Sequence, residues 1–265
     1  MNSWEIIKRN LEFTGPDRFG FCFGNSKKND FYEAGGISPF GYRQKVWTEG
    51  NFEYYDDEWG NIWFKVPGMT TKGEIFKPAI SDWSDLKKLK LPDYLNSPDY
   101  ERLKKEFSVE KERYRIVSLP GFPFAICRYL RKMEIYFQDL ILERENINKL
   151  HDMVTSLLEE IIKKIGQIGA DGIYFCEDWG IQDRLLISPD MWRDIFKPLF
   201  KRLCDTANRS NLHVLMHSCG YNWEILDDLA EVGINAFQFD QPELYGLERL
   251  AKKLQEIKVC LFSPV

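Results

Sequence analysis

A histidine and a cysteine lie two residues apart in this 265-residue chain, directly after a short apolar run. His217 and Cys219 belong to the sequence His-Ser-Cys-Gly, which follows residues 212–216. If the run forms a strand, alternation directs both side chains toward the same side. Imidazole and thiolate are a borderline-soft pair that suits zinc, so the spacing predicts two ligands of a zinc site. The alternative is a buried histidine and a small apolar cysteine at a strand end.

Carboxylates and amides that follow neighbouring strands are candidates for the rest of the site. Glu177 and Asp178 come directly after one predicted strand, and Asp240 and Gln241 follow another. We predict that Glu177 or Asp178 lies within a few ångströms of His217 or Cys219, where it would complete the metal shell, orient the imidazole or act in catalysis. A helix-dipole or turn role is the alternative for this pair. Asp240 and Gln241 are expected to bind substrate.

Strands and helices alternate along the C-terminal two thirds of the chain. Short apolar segments predict strands that begin near residues 115, 172, 213, 235 and 258. Helices are expected over about 125–168, from an N-cap at Ser188 to a kink at Pro198, over 222–232 and over 243–256. The alternation predicts a parallel sheet and favours a TIM-type (β/α)8 barrel, whose active site lies at the carboxyl ends of the strands. A doubly wound open sheet is the alternative, although no Gly-x-Gly-x-x-Gly follows a predicted strand.

The number of strands bears on the domain organisation. Two further strands are expected near 18–23 and within 52–66, which brings the total to about seven. A closed barrel of this type needs an eighth. We therefore expect a single α/β barrel domain over 1–265 that is truncated after about the seventh strand. Residues 1–110 would form an N-terminal elaboration with the first strands, and 111–265 the regular βα units.

The composition excludes several classes of protein. A hydrophobic content of 44% and a charged content of 29% are those of an ordinary globular chain. The net charge of −5 and the lack of a Lys/Arg block argue against nucleic-acid binding. The sequence contains no run of about 18 apolar residues, so no membrane span is predicted. The N-terminal residues lack the apolar core of a signal peptide. Six scattered cysteines favour reduced thiols and a cytoplasmic protein.

Several short motifs occur together in a recognisable order. They are Asp57-Glu58-Trp59-Gly60, Gly121-Phe122-Pro123-Phe124, Ile187-Ser188-Pro189-Asp190, His217-Ser218-Cys219-Gly220 and Ile225-Leu226-Asp227-Asp228-Leu229. With this ordered set the chain resembles the uroporphyrinogen decarboxylase superfamily. It is most similar to the branch that contains the zinc-dependent corrinoid and coenzyme M methyltransferases.

The resemblance implies a barrel with a deep pocket and a zinc-dependent methyltransferase. His217 and Cys219 would be zinc ligands, while a further cysteine that the branch places near the end of the barrel is absent here. The partners would be a corrinoid protein that carries the methyl group and a small-molecule methyl acceptor or donor of the thiol type. Asp57 would occupy a position comparable to the catalytic aspartate of the decarboxylases. Trp59 and Phe122 would line the pocket and contact substrate.

Two other functions stay open on the sequence alone. A decarboxylase of a tetrapyrrole-like acid would need no metal and would recognise carboxylates through Arg18, Arg43 or Arg128. The arginine-rich N-terminal signature of true uroporphyrinogen decarboxylases is not found. A truncated barrel that binds a ligand or partner without turnover is the second alternative. Zinc stoichiometry separates the methyltransferase from the decarboxylase, and the sequence does not indicate an oligomeric state.

Overall fold

The computed structural model describes residues 1–23, 29–70 and 72–263. The strands of this part of the chain are β1 Phe31–Gly36, β2 Val46–Glu49, β3 Phe52–Asp56, β4 Ile62–Lys65, β5 Glu74–Lys77, β6 Tyr114–Ser118, β7 Gly172–Cys176, β8 His213–Ser218, β9 Ala236–Phe239 and β10 Cys260–Leu261. The α-helices are α1 Ser3–Leu11, α2 Asp99–Val109, α3 Pro123–Leu130, α4 Met133–Leu142, α5 Arg144–Gln167, α6 Pro189–Ile195, α7 Lys197–Arg209, α8 Leu226–Val232 and α9 Leu247–Ile257. Short 3-10 helices cover Trp83–Lys88, Trp223–Ile225 and Pro242–Tyr245.

Six strands form one parallel sheet in the order β1-β6-β7-β8-β9-β10. Each strand pairs with the next parallel strand along the chain, and helices occupy the connections. The order never reverses, so the sheet is singly wound, as in a TIM-type barrel, and the doubly wound alternative is wrong. The predicted α/β barrel class is confirmed.

The N-terminal strands differ from those predicted. Near residues 18–23 the described chain holds only an isolated bridge between Cys22 and Asn29, and the first parallel strand is β1. The predicted strand within 52–66 is instead the β3–β4 hairpin of a separate antiparallel sheet, β2-β3-β4-β5. Alternating aromatic and charged residues fit a sheet with one solvated face, whereas a central barrel strand is buried on both sides. The described parallel strands therefore number six rather than seven.

The long predicted helix over 125–168 is three helices, α3, α4 and α5. Lys132 has φ +65°, which ends the first of them. The side chain of Arg131 explains the break, because its guanidinium binds Asp139 at 2.6 Å and also donates to the carbonyls of Ile80 and Ser81. Tertiary hydrogen bonds thus override the local helical pattern. The expected kink at Pro198 is a full break between α6 and α7.

The parallel sheet encloses a lumen that α1 covers at the amino ends of the strands. Ile7 and Leu11 of this helix pack in one buried cluster with Tyr114, Ile116 and Leu215, which point inward from the strands. The two sheet edges also approach each other, since Phe31 of β1 stacks on Phe262 with ring centroids 5.5 Å apart. Inward side chains therefore fill the lower lumen and leave the carboxyl end open.

Residue contacts divide the described chain into two interleaved units. The first, which contains the parallel sheet, covers 1–37, 98–122 and 158–265, and we call it the barrel unit. The second, which contains the antiparallel sheet, covers 38–97 and 123–157, and we call it the hairpin unit. No helix in the described ranges combines the length and the apolar character that crossing a membrane requires.

A buried carboxylate anchors the segment that precedes β1. Asp30 is 3% exposed and accepts hydrogen bonds from both terminal nitrogens of Arg18, at 2.7 and 2.8 Å, and from the backbone of Phe21. Burial alone would raise the pKa of Asp30. Hydrogen bonds from Arg18, Ser3 and Phe21 and the charge of Arg18 outweigh burial and lower this pKa to about 2.

We expect Asp30→Asn to lower the free energy of unfolding at pH 7 by about 1–2 kcal/mol. The folded-state pKa lies below the ordinary value of 3.8. The stabilisation is therefore complete above about pH 4 and is lost as the pH falls through about 2. Urea unfolding of both proteins from pH 7 down to about pH 3 should show the difference shrinking. The control Asp227→Asn removes an exposed partner of Lys253 and should change stability by less than about 0.5 kcal/mol. A difference that stays constant with pH would contradict this account of Asp30.

Candidate metal centre

The register of the parallel strands places His217 between two specific neighbours. β8 pairs with β7 so that His217 is opposite Cys176, and with β9 so that His217 is opposite Gln238. The ladder continues one residue beyond β7, where the backbone N–H of Glu177 donates to the carbonyl of His217 at 2.9 Å. Because side chains alternate, His217 then points into the lumen at its open end.

Three potential metal ligands converge at this end. The nitrogen Nε2 of His217 lies 3.4 Å from Sγ of Cys219 and 3.7 Å from Oδ1 of Asp178. The ligand atoms of these residues all lie within 4.8 Å of one another, and all three residues are half-buried. The predicted proximity of Asp178 to His217 is confirmed. We call Asp178, His217 and Cys219 the metal triad.

The two distances from His217 to the other members of the metal triad fit zinc. Nitrogen, oxygen and sulfur ligands about 2.0–2.3 Å from a tetrahedral ion lie about 3.3–3.8 Å apart. The distances from His217 Nε2 to Cys219 Sγ and to Asp178 Oδ1 fall within this range. Three protein ligands also leave the fourth tetrahedral position for a water or substrate, as in catalytic zinc sites.

Gln238 orients the imidazole and was not predicted from the sequence. Its Oε1 lies 2.6 Å from Nδ1 of His217 and accepts a hydrogen bond from the hydroxyl of Tyr174 at 2.8 Å. This contact keeps the imidazole proton on Nδ1 and leaves the lone pair of Nε2 directed at the other two members of the triad. The signal lay in the strand pattern, because Gln238 is the one polar residue between Phe237 and Phe239 of a buried strand.

The thiol of Cys219 is in a negatively charged environment. Burial, the charge of Asp178 and the contact with Asp240 raise its pKa to about 12. Asp240 Oδ2 lies 3.5 Å from Sγ, and Asp240 Oδ1 lies 3.8 Å from Nδ1 of His217. Asp240 therefore borders the metal triad. Without a bound cation these carboxylates favour the protonated thiol.

Two glycines allow the turn after β8 to form. Gly220 has φ +73°, and a Cβ there would overlap the backbone of Gly180. A Cβ on Gly180 would in turn overlap the backbone of Tyr221. The carbonyl of Gly220 accepts hydrogen bonds from Tyr245 at 2.7 Å and from Asn222 at 3.2 Å. Together with the bond from the backbone N–H of Cys219 to Asp178 Oδ1 at 2.9 Å, these contacts fix the loop that carries the cysteine.

The other predicted site residues of the barrel unit differ from the metal triad in their burial and contacts. Glu177 is fully buried, so it is less accessible than the half-buried Asp178. Gln241 accepts a hydrogen bond from Gln182 at 3.4 Å beside the loop that follows β7. Phe122 is fully buried and stacks on Phe175 with centroids 3.5 Å apart. We therefore correct the expectation that Phe122 contacts substrate, because it belongs to the packing of the core.

Asp57 and Trp59 belong to the hairpin unit, in the turn between β3 and β4. Oδ1 of Asp57 accepts from the backbone N–H groups of Trp59 and Asn61 at 3.0 and 2.9 Å. Oδ2 accepts from the side chains of Asn61 and Trp63 at 2.8 and 2.7 Å. With four hydrogen bonds inside its own hairpin, Asp57 organises this turn, which favours a structural role; the catalytic role stays a prediction. Trp59 is 7% exposed and packs near Tyr94, which favours a core role over substrate binding.

We expect Gly220→Ala to disrupt the metal triad, because the added Cβ displaces the loop that carries Cys219. A matched control is Gly15→Ala, since Gly15 has φ +74° but nothing within 4 Å of an added Cβ. The control should lose only about 1 kcal/mol of stability from backbone strain, and Gly220→Ala at least about 2 kcal/mol more. Urea unfolding and zinc titration of both variants measure the two effects. Equal behaviour of the two variants would show that the close approach to Gly180 is not needed.

Comparison with known proteins assigns the chain to a family. The family model for uroporphyrinogen decarboxylase (URO-D) matches residues 66–261, which is most of the chain. A solved methyltransferase from Methanosarcina mazei has a similar fold, with a TM-score of 0.58 at 19% sequence identity. The match covers 72% of this chain and 57% of the methyltransferase, so the chain spans little more than half the length of that protein. No curated protein matches the sequence significantly. The extent of the family match shows that the chain belongs to the uroporphyrinogen decarboxylase family.

Proposed function

We propose that this protein is a zinc-dependent methyltransferase that moves a methyl group between a corrinoid carrier protein and a thiol-type acceptor. The observation that carries the proposal is the metal triad, in which the distances from His217 to Cys219 and to Asp178 suit a three-ligand zinc site with one open position. The Methanosarcina mazei protein of similar fold is itself a methyltransferase, which supports this branch of the family. Bound zinc supplies positive charge that lowers the pKa of a substrate thiol.

The residues around the triad have separate tasks in this proposal. Gln238 holds the proton on Nδ1 of His217, so that Nε2 is free to bind the metal. Asp240 accepts the hydrogen bond from Cys219 Sγ and, with its side chain 52% exposed, can pass the cysteine proton to solvent when the metal binds. Asp178 contributes an oxygen ligand and also holds the backbone of Cys219 in place.

The three arginines considered for carboxylate recognition give no support to the decarboxylase alternative. Arg18 forms a bidentate ion pair with Asp30. Arg128 is 9% exposed and lies in the hairpin unit, where Arg43 is also found. A tetrapyrrole acid needs positive charge opposite its carboxylates. No observation on these three arginines favours that function.

We expect the protein to bind one zinc ion, and Cys219→Ala and His217→Ala to weaken binding by about 100-fold or more, because each removes one of three ligands. Gln238→Leu removes only the orienting contact and should weaken binding by about 10-fold. Competition titration against a chromophoric chelator measures these affinities. The bound metal can be counted by elemental analysis after dialysis.

Cys176→Ala is the matched control for the cysteine. Cys176 lies opposite His217 in the sheet and is exposed, yet it is outside the metal triad. Its loss should leave zinc affinity unchanged within about twofold. Equal zinc uptake by wild type and Cys219→Ala would reduce Cys219 to a packing residue and remove the basis of the proposal.

Zinc binding should release about one proton from Cys219, because its raised pKa keeps the thiol protonated at neutral pH. Because the thiol must ionise before it can bind the metal, zinc affinity should rise with pH, by about tenfold per pH unit between about pH 6 and pH 8. Calorimetry in buffers of different ionisation enthalpy counts the released protons. Cys219→Ala should release about one proton fewer. If wild type and Cys219→Ala release the same number of protons, the released proton comes from a group other than Cys219.

A further inference from the structure

The connection from β9 to α9 contacts the loop of the metal triad at two consecutive residues. We call residues 240–245 the clamp segment and residues 218–222 the cysteine loop. At the start of the clamp segment, Asp240 Oδ2 accepts a hydrogen bond from Cys219 Sγ at 3.5 Å. At its end, the hydroxyl of Tyr245 donates to the carbonyl of Gly220 at 2.7 Å. Both ends of one short segment of the barrel unit therefore hold the same turn.

The hydroxyl of Tyr245 is the centre of a buried polar network. It accepts hydrogen bonds from the backbone N–H of Asn222 at 3.0 Å and from the side-chain nitrogen of Asn222 at 3.1 Å. The same side chain donates to Ser218 Oγ at 3.0 Å. Tyr245 is 2% exposed, and Asn222 and Ser218 are fully buried. Because water cannot replace a lost partner in this setting, the network favours a single conformation of the cysteine loop.

Aromatic stacking fixes the position of the Tyr245 hydroxyl. The ring of Tyr245 stacks on Phe239 and on Tyr221, with centroids 4.9 and 5.1 Å away. Phe239 is the last residue of β9 and is opposite Ser218 in the sheet. Burial raises the pKa of Tyr245 to about 12, so the hydroxyl keeps its proton and stays a donor. The donor that holds Gly220 is thus tied to the sheet that carries the imidazole of His217.

Cys219 is the member of the metal triad that most needs such support. His217 lies within β8, whereas Cys219 is the first residue after that strand, so strand pairing does not fix its thiol. Metal ligands must lie within about 0.2–0.5 Å of their required positions. A loop that is already ordered loses less conformational entropy when a metal binds, so it binds the metal more tightly.

We propose that Tyr245 is a positioning residue of the metal triad, whose hydroxyl holds the cysteine loop in the conformation in which Cys219 can bind zinc. Tyr245 acts through Gly220 and Asn222, and it touches neither metal nor substrate. The effect on zinc rests on the proposed function, whereas the ordering of the loop does not. The two ends of the clamp segment then have different tasks, since Asp240 receives the thiol proton and Tyr245 sets where the thiol lies.

The first experiment compares two tyrosines that are equally buried. Tyr245→Phe removes only the hydroxyl and should weaken zinc binding by about tenfold in a competition titration. The control Tyr114→Phe removes a hydroxyl that donates to the carbonyl of Asp171 at 2.8 Å, in a residue that is 1% exposed and lies at the amino end of the lumen. Both variants should lower the urea midpoint of unfolding. If Tyr245→Phe lowers the midpoint but keeps zinc affinity within about twofold of wild type, Tyr245 is only structural and the proposal is wrong.

A double-mutant cycle tests whether Tyr245 acts through the thiol. In the Cys219→Ala background, Tyr245→Phe should weaken zinc binding by less than about twofold, because no thiol is left to position. Zinc affinities of the four proteins give the coupling between the two side chains. A tenfold loss that persists without the thiol would show that Tyr245 acts on another group.

Amide hydrogen exchange of the zinc-free protein separates this inference from the proposed function. The backbone N–H of Cys219 is bonded to Asp178 at 2.9 Å rather than to Tyr245, so its exchange reports the order of the loop. Relative to the slowest amides of each protein, it should exchange at least about fivefold faster in Tyr245→Phe than in Tyr114→Phe. If this difference is found but wild type binds no zinc, the loop-ordering role stands and the proposed function fails. Equal exchange in the two variants would overturn the role of Tyr245.

Discussion

The candidate site depends on the register in which β8 pairs with β7 and β9. His213, Leu215 and His217 face the lumen, while Val214 and Met216 pack toward the helices. A slip of one residue would direct Met216 into the lumen and His217 into apolar packing. The burial of Val214 and Met216 and the continued ladder at Glu177 therefore fix where the imidazole points. Every contact of the metal triad follows from this pairing.

The same register explains why two histidines of one strand have different roles. His213 lies at the amino end of β8, where its Nδ1 is 2.6 Å from the hydroxyl of Tyr114. Burial lowers the pKa of His213, which favours the neutral ring in this packed layer. His217, four residues on, reaches the open end, where Asp178 and Cys219 meet it from adjacent loops. Position along the strand, rather than residue type, separates a structural histidine from a ligand.

Some of this structure could be predicted from local patterns, and some could not. The Ser188 cap, the end of α8 at Gly233 and the strand at 172–176 follow from chemistry within a few residues. The proximity of Asp178 to His217 follows from the way parallel strands end at one edge. The strand pattern marks Gln238 as a polar residue between two phenylalanines, but its role depends on a partner 21 residues away, which no local signal identifies.

Hydrogen bonds that no short motif encodes explain where the structure differs from the sequence predictions. Asp57 lies in a motif that resembles a catalytic one, yet its hydrogen bonds to Trp59, Asn61 and Trp63 are satisfied within its own turn. Such local bonding is invisible in a motif comparison, because the same residue types serve a turn and an active site. The break at Arg131 likewise arises from distant carbonyl groups. Charge adds a criterion that motifs lack: Arg18 and Arg115 each form an ion pair with a carboxylate of the barrel unit, so both of these positive charges are already neutralised within the fold.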